Sequence, residues 1–148
     1  MMYDADVQKP TRPPIGLLLA NTAKALNRAF DDTLTSAGGS APAWLILIAL
    51  KTQPRASQRE LAAAVGVQGA TLSHHLNAME SDGLITRSRD PENRRVHQVR
   101  LTDDGEKLFL RLAGAAHAHD ERLRAGFSDD DVETLEKLLT RMRANVTD

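Results

Sequence analysis

The stretch that most limits what this chain can fold into runs from Ser57 to Leu84, SQRELAAAVGVQGATLSHHLNAMESDGL. Ser57 and Glu60 stand at the S-x-x-E spacing of a capping box, in which each side chain satisfies the other's open backbone donor. Leu61 and Val65 give the helix they open one apolar face, and Gly66 ends it early. After VQG, Leu72, Leu76 and Met79 recur at i, i+4 and i+7, which predicts a second helix from about residue 70 to 81, with Gly83 as its stop. Two short helices this close in sequence bury such stripes by crossing at a tight turn and sharing one core, as in a helix-turn-helix.

The flanking segments fill in a mainly α fold. Residues 1–14 hold Pro10, Pro13 and Pro14 without an apolar period, and are read as an extended N-terminal arm. From Ile15, a helical period continues through Leu19, Leu26, Phe30 and Leu34 until Gly38 and Gly39 stop it. Ser40 or Ala41 opens the next helix with Pro42 in its first turn, where proline is tolerated. Its WLILIAL run is apolar nearly all round, so it is expected to be the most buried helix. Beyond the helix-turn-helix, LITRSR and RVHQVRL flank a Pro-Glu-Asn turn and predict a β-hairpin. Thr102 then caps a long helix to about Leu123, and Ser128 caps a last one. In that last helix Val132, Leu135, Leu139, Met142 and Val146 form a heptad seam. The fold class is thus helical with a small β-hairpin wing: a winged helix-turn-helix over 40–101, and a helical dimerisation region over 15–39 and 102–148.

Composition narrows the function. The chain has no cysteine, which removes disulfides, thiolate metal sites and thiol redox sensing. Aromatic residues are 3% of the chain, so the core is mainly Leu, Ala, Ile and Val. The longest apolar run, AWLILIAL, is too short to span a bilayer, and MMYDADVQKP lacks the regions of a signal peptide. A cytoplasmic protein without membrane partners is expected. No nucleophile–base pair, phosphate loop or paired-carboxylate site appears, and the adjacent His74 and His75 cannot converge on one atom, so no enzyme is expected. His117 and His119 are two apart on a helix and point to different sides, which reads as structural or solvated histidines; no metal and no cofactor are expected.

A net charge of −1 gives no argument for a nucleic-acid partner, but the charge distribution does. On a helical wheel, Ala70, Thr71, Ser73, His74, Asn77 and Ala78 point away from the Leu72–Leu76–Met79 stripe. That face has no acid, whereas a solvated face is usually rich in Lys and Glu. Its small residues allow close approach to a groove, and its polar ones can bond base edges. In the hairpin, Arg87, Arg89, Arg94, Arg95 and Arg100 stand against only Asp90 and Glu92. Arginine at the tip of a narrow ribbon suits the minor groove. Asp90, four residues before Arg94, either holds that guanidinium extended or only stabilises the turn.

SQRELAAAVGVQGATLSHHLNAMESDGLI followed by TRSRDPENRRVHQVRLTDDGEKL resembles the MarR family of transcriptional regulators, and the likeness runs over essentially the whole chain. Asp90, Arg94, Arg95, Leu101, Thr102 and Gly105 match the family's wing signature. The resemblance implies an obligate homodimer formed by the first helix and the last two. It implies that residues 70–81 enter the major groove, that Arg94 enters the minor groove, and that Thr71, Ser73 and His74 contact bases or phosphates. Many members carry arginine or another long side chain at the place of His74. A small aromatic or phenolic effector is implied between the dimerisation helices and the DNA-binding lobe. Residues and resemblance together give a DNA-contact set of Ser57, Gln68, Ala70, Thr71, Ser73, His74, His75, Asn77, Arg87, Arg94 and Arg95, with Asp90 orienting the wing. The expected function is a ligand-responsive repressor that binds double-stranded DNA at a pseudo-palindromic operator. The alternative is an all-α dimeric interaction or scaffolding module without specific DNA binding.

Overall fold

A computed structural model describes residues 12–93 and 96–148; Arg94, Arg95 and most of the N-terminal arm lie outside the described residues. The elements run α1 (Ile15–Ser36), α2 (Ala41–Thr52), α3 (Gln58–Val65), α4 (Gly69–Ser81), β1 (Ile85–Arg89), β2 (His97–Leu101), α5 (Asp103–Arg124) and α6 (Asp129–Ala144).

Local chemistry sets most of these boundaries. Ser40 Oγ accepts from the Ala43 amide at 3.2 Å and opens α2, with Pro42 in the first turn. In α3 both halves of the capping box form: Glu60 N to Ser57 Oγ at 3.1 Å, and Ser57 N to Glu60 Oε1 at 3.2 Å. Gly66 ends α3 in the left-handed conformation, φ 76°. Thr102 Oγ1 accepts from the Gly105 amide at 3.1 Å and donates to the Gly83 carbonyl at 2.6 Å, so one hydroxyl caps α5 and ties it to the end of α4. Ser128 and Asp131 form a second capping box at α6.

The core gathers around α2. Ile46, Leu47 and Leu50 of α2 are buried with Leu34, Leu61, Leu72, Leu76, Ile85, Val99, Leu108 and Leu112. Full burial of each such side chain is worth about 1.5–3 kcal/mol, so this cluster fixes how α3, α4 and the hairpin sit together. At the α1–α2 corner, a Cβ on Gly39 would lie 2.6 Å from Leu112 Cδ1, so a larger residue there would have to push the buried Leu112 side chain aside.

As expected, α2 is the most buried helix, with four of its twelve residues exposed, Leu45 and Ile48 among them at 48% and 38%. One expectation needs correction. In α6 the helix ends at Ala144, so Val146 lies outside it and is 83% exposed. There the Val146 amide turns back to the Arg143 carbonyl at 3.1 Å, an i to i−3 bond that tightens the chain out of α-helical register and shortens the seam. No residue of α6 is buried.

The wing is a two-stranded antiparallel ribbon, registered from Ile85 opposite Leu101 to Arg89 opposite His97. It does not stand alone. Val99 N donates to the Ala56 carbonyl at 3.1 Å, and Ser57 bridges to Gln98, so the segment leading into α3 pairs with β2. Among the described residues no single helix is long and apolar enough to cross a membrane.

Candidate nucleic-acid interface

The hydrophobic stripe of α4 decides which way its polar residues face. Leu72, Leu76 and Met79 are buried, which turns Ala70, Thr71, His74 and Asn77 to solvent and leaves Ser73 and His75 half-buried at the flanks. From Gly69 to Ala78 there is no acid. The helix starts at Gly69, one residue earlier than its apolar period suggests, with exposed Gln68 at the N-cap making no side-chain cap bond. The first-turn amides of α4 therefore keep their donors for an anionic partner, helped by the positive end of the helix dipole.

Most predicted contact residues share this surface, but not all have free side chains. Ser57 is half-buried, and its hydroxyl is the acceptor in the α3 capping box. Ser73 Oγ lies 3.5 Å from the Gln58 Nε2 donor across the α3–α4 turn. The His74 and His75 rings meet edge-on, 5.8 Å apart. Arg87 is the most constrained. Its Nη2 donates to Asn77 Oδ1 at 2.6 Å and to Glu80 Oε1 at 3.0 Å, and its Nε to Glu80 Oε2 at 3.3 Å. These bonds tie β1 to α4. The guanidinium's hydrogen bond and charge hold the Glu80 carboxyl below the ordinary glutamate range, against a smaller opposing effect of burial.

Asp90 shapes the wing turn: its Oδ1 accepts from the Glu92 amide at 2.9 Å, and its own amide donates to the Val96 carbonyl at 2.8 Å. Arg94 and Arg95 belong to the part of the turn outside the described residues. Around Asn77 and Arg87, a recess is lined also by Gln58, Ser73, Glu80 and His97. Gln58, Glu80 and His97 were not among the sequence-predicted contacts. Glu80 and Arg87 lie seven residues apart across a turn, so no helix or strand spacing marks the pair. The fixed register, with His97 opposite Arg89, could have placed His97 beside this surface.

A second feature lies between α1 and α5. His119, 8% exposed, packs its ring against Phe30 at 5.0 Å between centroids. Its Nδ1 is buried without a hydrogen-bond partner among the described residues. A cavity of about 330 Å³ opens there, lined by Leu26, Asn27, Phe30, Ala116, His119, Asp120 and Leu123. His117 faces elsewhere, 3.1 Å from Glu121.

The MarR family model matches residues 40–97, the winged helix-turn-helix itself. Solved structures extend the likeness to the flanking helices. The transcriptional repressor CouR, bound to a 23-mer DNA duplex, is 25% identical, with 88% of this chain and 92% of that chain covered and a TM-score of 0.77. BpsR of Bordetella bronchiseptica, whose DNA binding is regulated by 6-hydroxynicotinic acid, is 24% identical, with coverages of 87% and 98% and a TM-score of 0.72. PcaV, a transcriptional regulator of Streptomyces coelicolor, is 23% identical, with coverages of 85% and 95% and a TM-score of 0.74. The last two share the fold. Across residues 40–97 the chain carries the pattern of the MarR family, and the helices on either side share the architecture of the winged helix-turn-helix transcriptional regulators it resembles.

Proposed function

We propose that the protein is a sequence-specific DNA-binding repressor that acts in the cytoplasm as a homodimer and is released from its operator by a small aromatic acid. The observation that carries the DNA reading is the exposed, acid-free face of α4, its N-terminal amides uncapped, with a basic wing pinned beside it. The likeness to a DNA-bound repressor supports it. In this reading α4 enters the major groove. Its first turn and Gln68 meet phosphates, while Thr71, Ser73, His74 and Asn77 face base edges. Arg94 at the wing turn enters the adjacent minor groove. Residues 40–101 form the DNA-binding lobe, and 15–39 with 102–148 the dimerisation region. No catalytic role is assigned to any residue.

The effector part rests on the α1–α5 cavity. Its walls are mainly apolar with Phe30 aromatic, His119 and Asn27 supply polar groups, and the Asp120 carboxylate is paired with Arg124 at 2.8 Å, which suits a flat acid of one ring. A ligand wedged between α1 and α5 would change the spacing of two recognition helices that must both fit one duplex. The regulation of BpsR by 6-hydroxynicotinic acid supports this class of ligand.

Titration of the protein against genomic DNA fragments, with excess random duplex as competitor, tests the reading. Retention of a few fragments at physiological salt is expected. Uniform binding to all fragments, or none, would leave the scaffolding alternative ahead.

A further inference from the structure

We propose that Asn77 reads the operator through its amide donors alone, selecting guanine rather than adenine, and that Arg87 fixes it in that role. The inference rests on the DNA-binding reading above and adds to it the base class met at one position of each half-site.

A guanidinium has donors and no acceptor. The 2.6 Å contact from Arg87 Nη2 therefore identifies the amide atom facing the wing as Oδ1. Arg87 cannot readily release it, because Glu80 grips the same guanidinium through two further bonds. Glu80 is one turn along α4 from Asn77, so a single helix face sets both anchors. With Oδ1 turned to Arg87, the planar amide directs Nδ2 and its two hydrogens to the other side, and Asn77 is exposed.

An unconstrained asparagine prefers adenine, donating to N7 and accepting from the N6 amino group. Here the acceptor half is already in a short charge-assisted bond. A second donor at Oδ1 would share that oxygen and bring adenine's partly positive amino group beside the guanidinium. Guanine offers N7 and O6, two acceptors on one edge, and both the Nδ2 hydrogens and the nearby positive charge favour it. Arg87 is thus a positioning residue, acting through Asn77.

Selection of bound duplexes from a random pool tests this, run in parallel with the native chain, Asn77→Ala, Asn77→Asp and Arg87→Met. The native consensus is expected to hold a guanine in each half-site that is preferred over adenine about tenfold. Asn77→Ala flattens that position and leaves the others. Asn77→Asp keeps a partner for Arg87, and so keeps the wing tied to α4, yet has no donors; it also loses the guanine. Arg87→Met frees Oδ1 and moves the position towards adenine. A purely structural tie would lower the preference at all positions together. Guanine preference surviving in Asn77→Asp, an adenine at the position that Asn77→Ala flattens, or no position altered by Asn77→Ala each overturns the inference while DNA binding stands. If the native chain enriches no sequence, the DNA-binding reading falls and this one with it.

Discussion

Arg87 and Arg94 are assigned different ends in the proposed reading. Arg87 is held by Asn77 and Glu80, with its side chain 20% exposed, and locks the wing to α4. Arg94 lies outside the described residues, and the proposed reading places it in the minor groove. Arg94→Ala is expected to weaken operator binding by about 1–3 kcal/mol at fixed salt, with the thermal unfolding midpoint unchanged. Equal affinity for both chains would reduce Arg94 to a solvated turn residue. Glu80 gives a pH signature. Its carboxyl is depressed by Arg87, so the stability it contributes is present above its unfolded-state value and is lost as pH falls through the folded-state value. Melting the native chain and Glu80→Gln across the acid range checks this. The native advantage should shrink as pH drops below the ordinary glutamate range, and a constant difference would mean that the pair contributes no titratable stability.

At the scale of elements, caps and stops were legible because they are local chemistry. Ser57 with Glu60, Thr102 and Ser128 each bond within three residues, so the pattern in the sequence is the structure. The stripe on α4 was legible for the same reason. What escaped was set by where the chain returns: the Arg87–Glu80 tie, the Ser57–Gln98 bridge, and the exposure of Leu45 and Ile48 on α2. An apolar run tells that a face will be covered, not by which chain. Ser57→Ala should destabilise the fold by about 1 kcal/mol through the lost cap. Gly105 shows a constraint that helix propensity alone would miss. A Cβ there would collide with the Leu84 carbonyl oxygen and sit 3.1 Å from Leu101 Cδ2. Gly105→Ala should therefore cost about 1–3 kcal/mol in urea unfolding by overpacking, although alanine is the better helix former. A stabilised variant would show that α5 can shift away from the wing.

One chain leaves much of its apolar surface uncovered. Leu17 and Leu18 on α1, Leu110 on α5, and Leu135 and Leu138 on α6 are exposed, and no residue of α6 is fully buried. A second copy covering these faces is the simplest way to offset their contact with water. Sedimentation equilibrium at micromolar concentration should give a dimer; a stable folded monomer would remove the two-fold arrangement on which the operator reading depends. The whole account meets its most direct test in the base pattern that the native protein selects from a random duplex pool. It predicts a two-fold symmetric consensus whose half-site centres lie about one helical turn, ~34 Å, apart. A pool that stays random, or a single half-site without its symmetric mate, would contradict it.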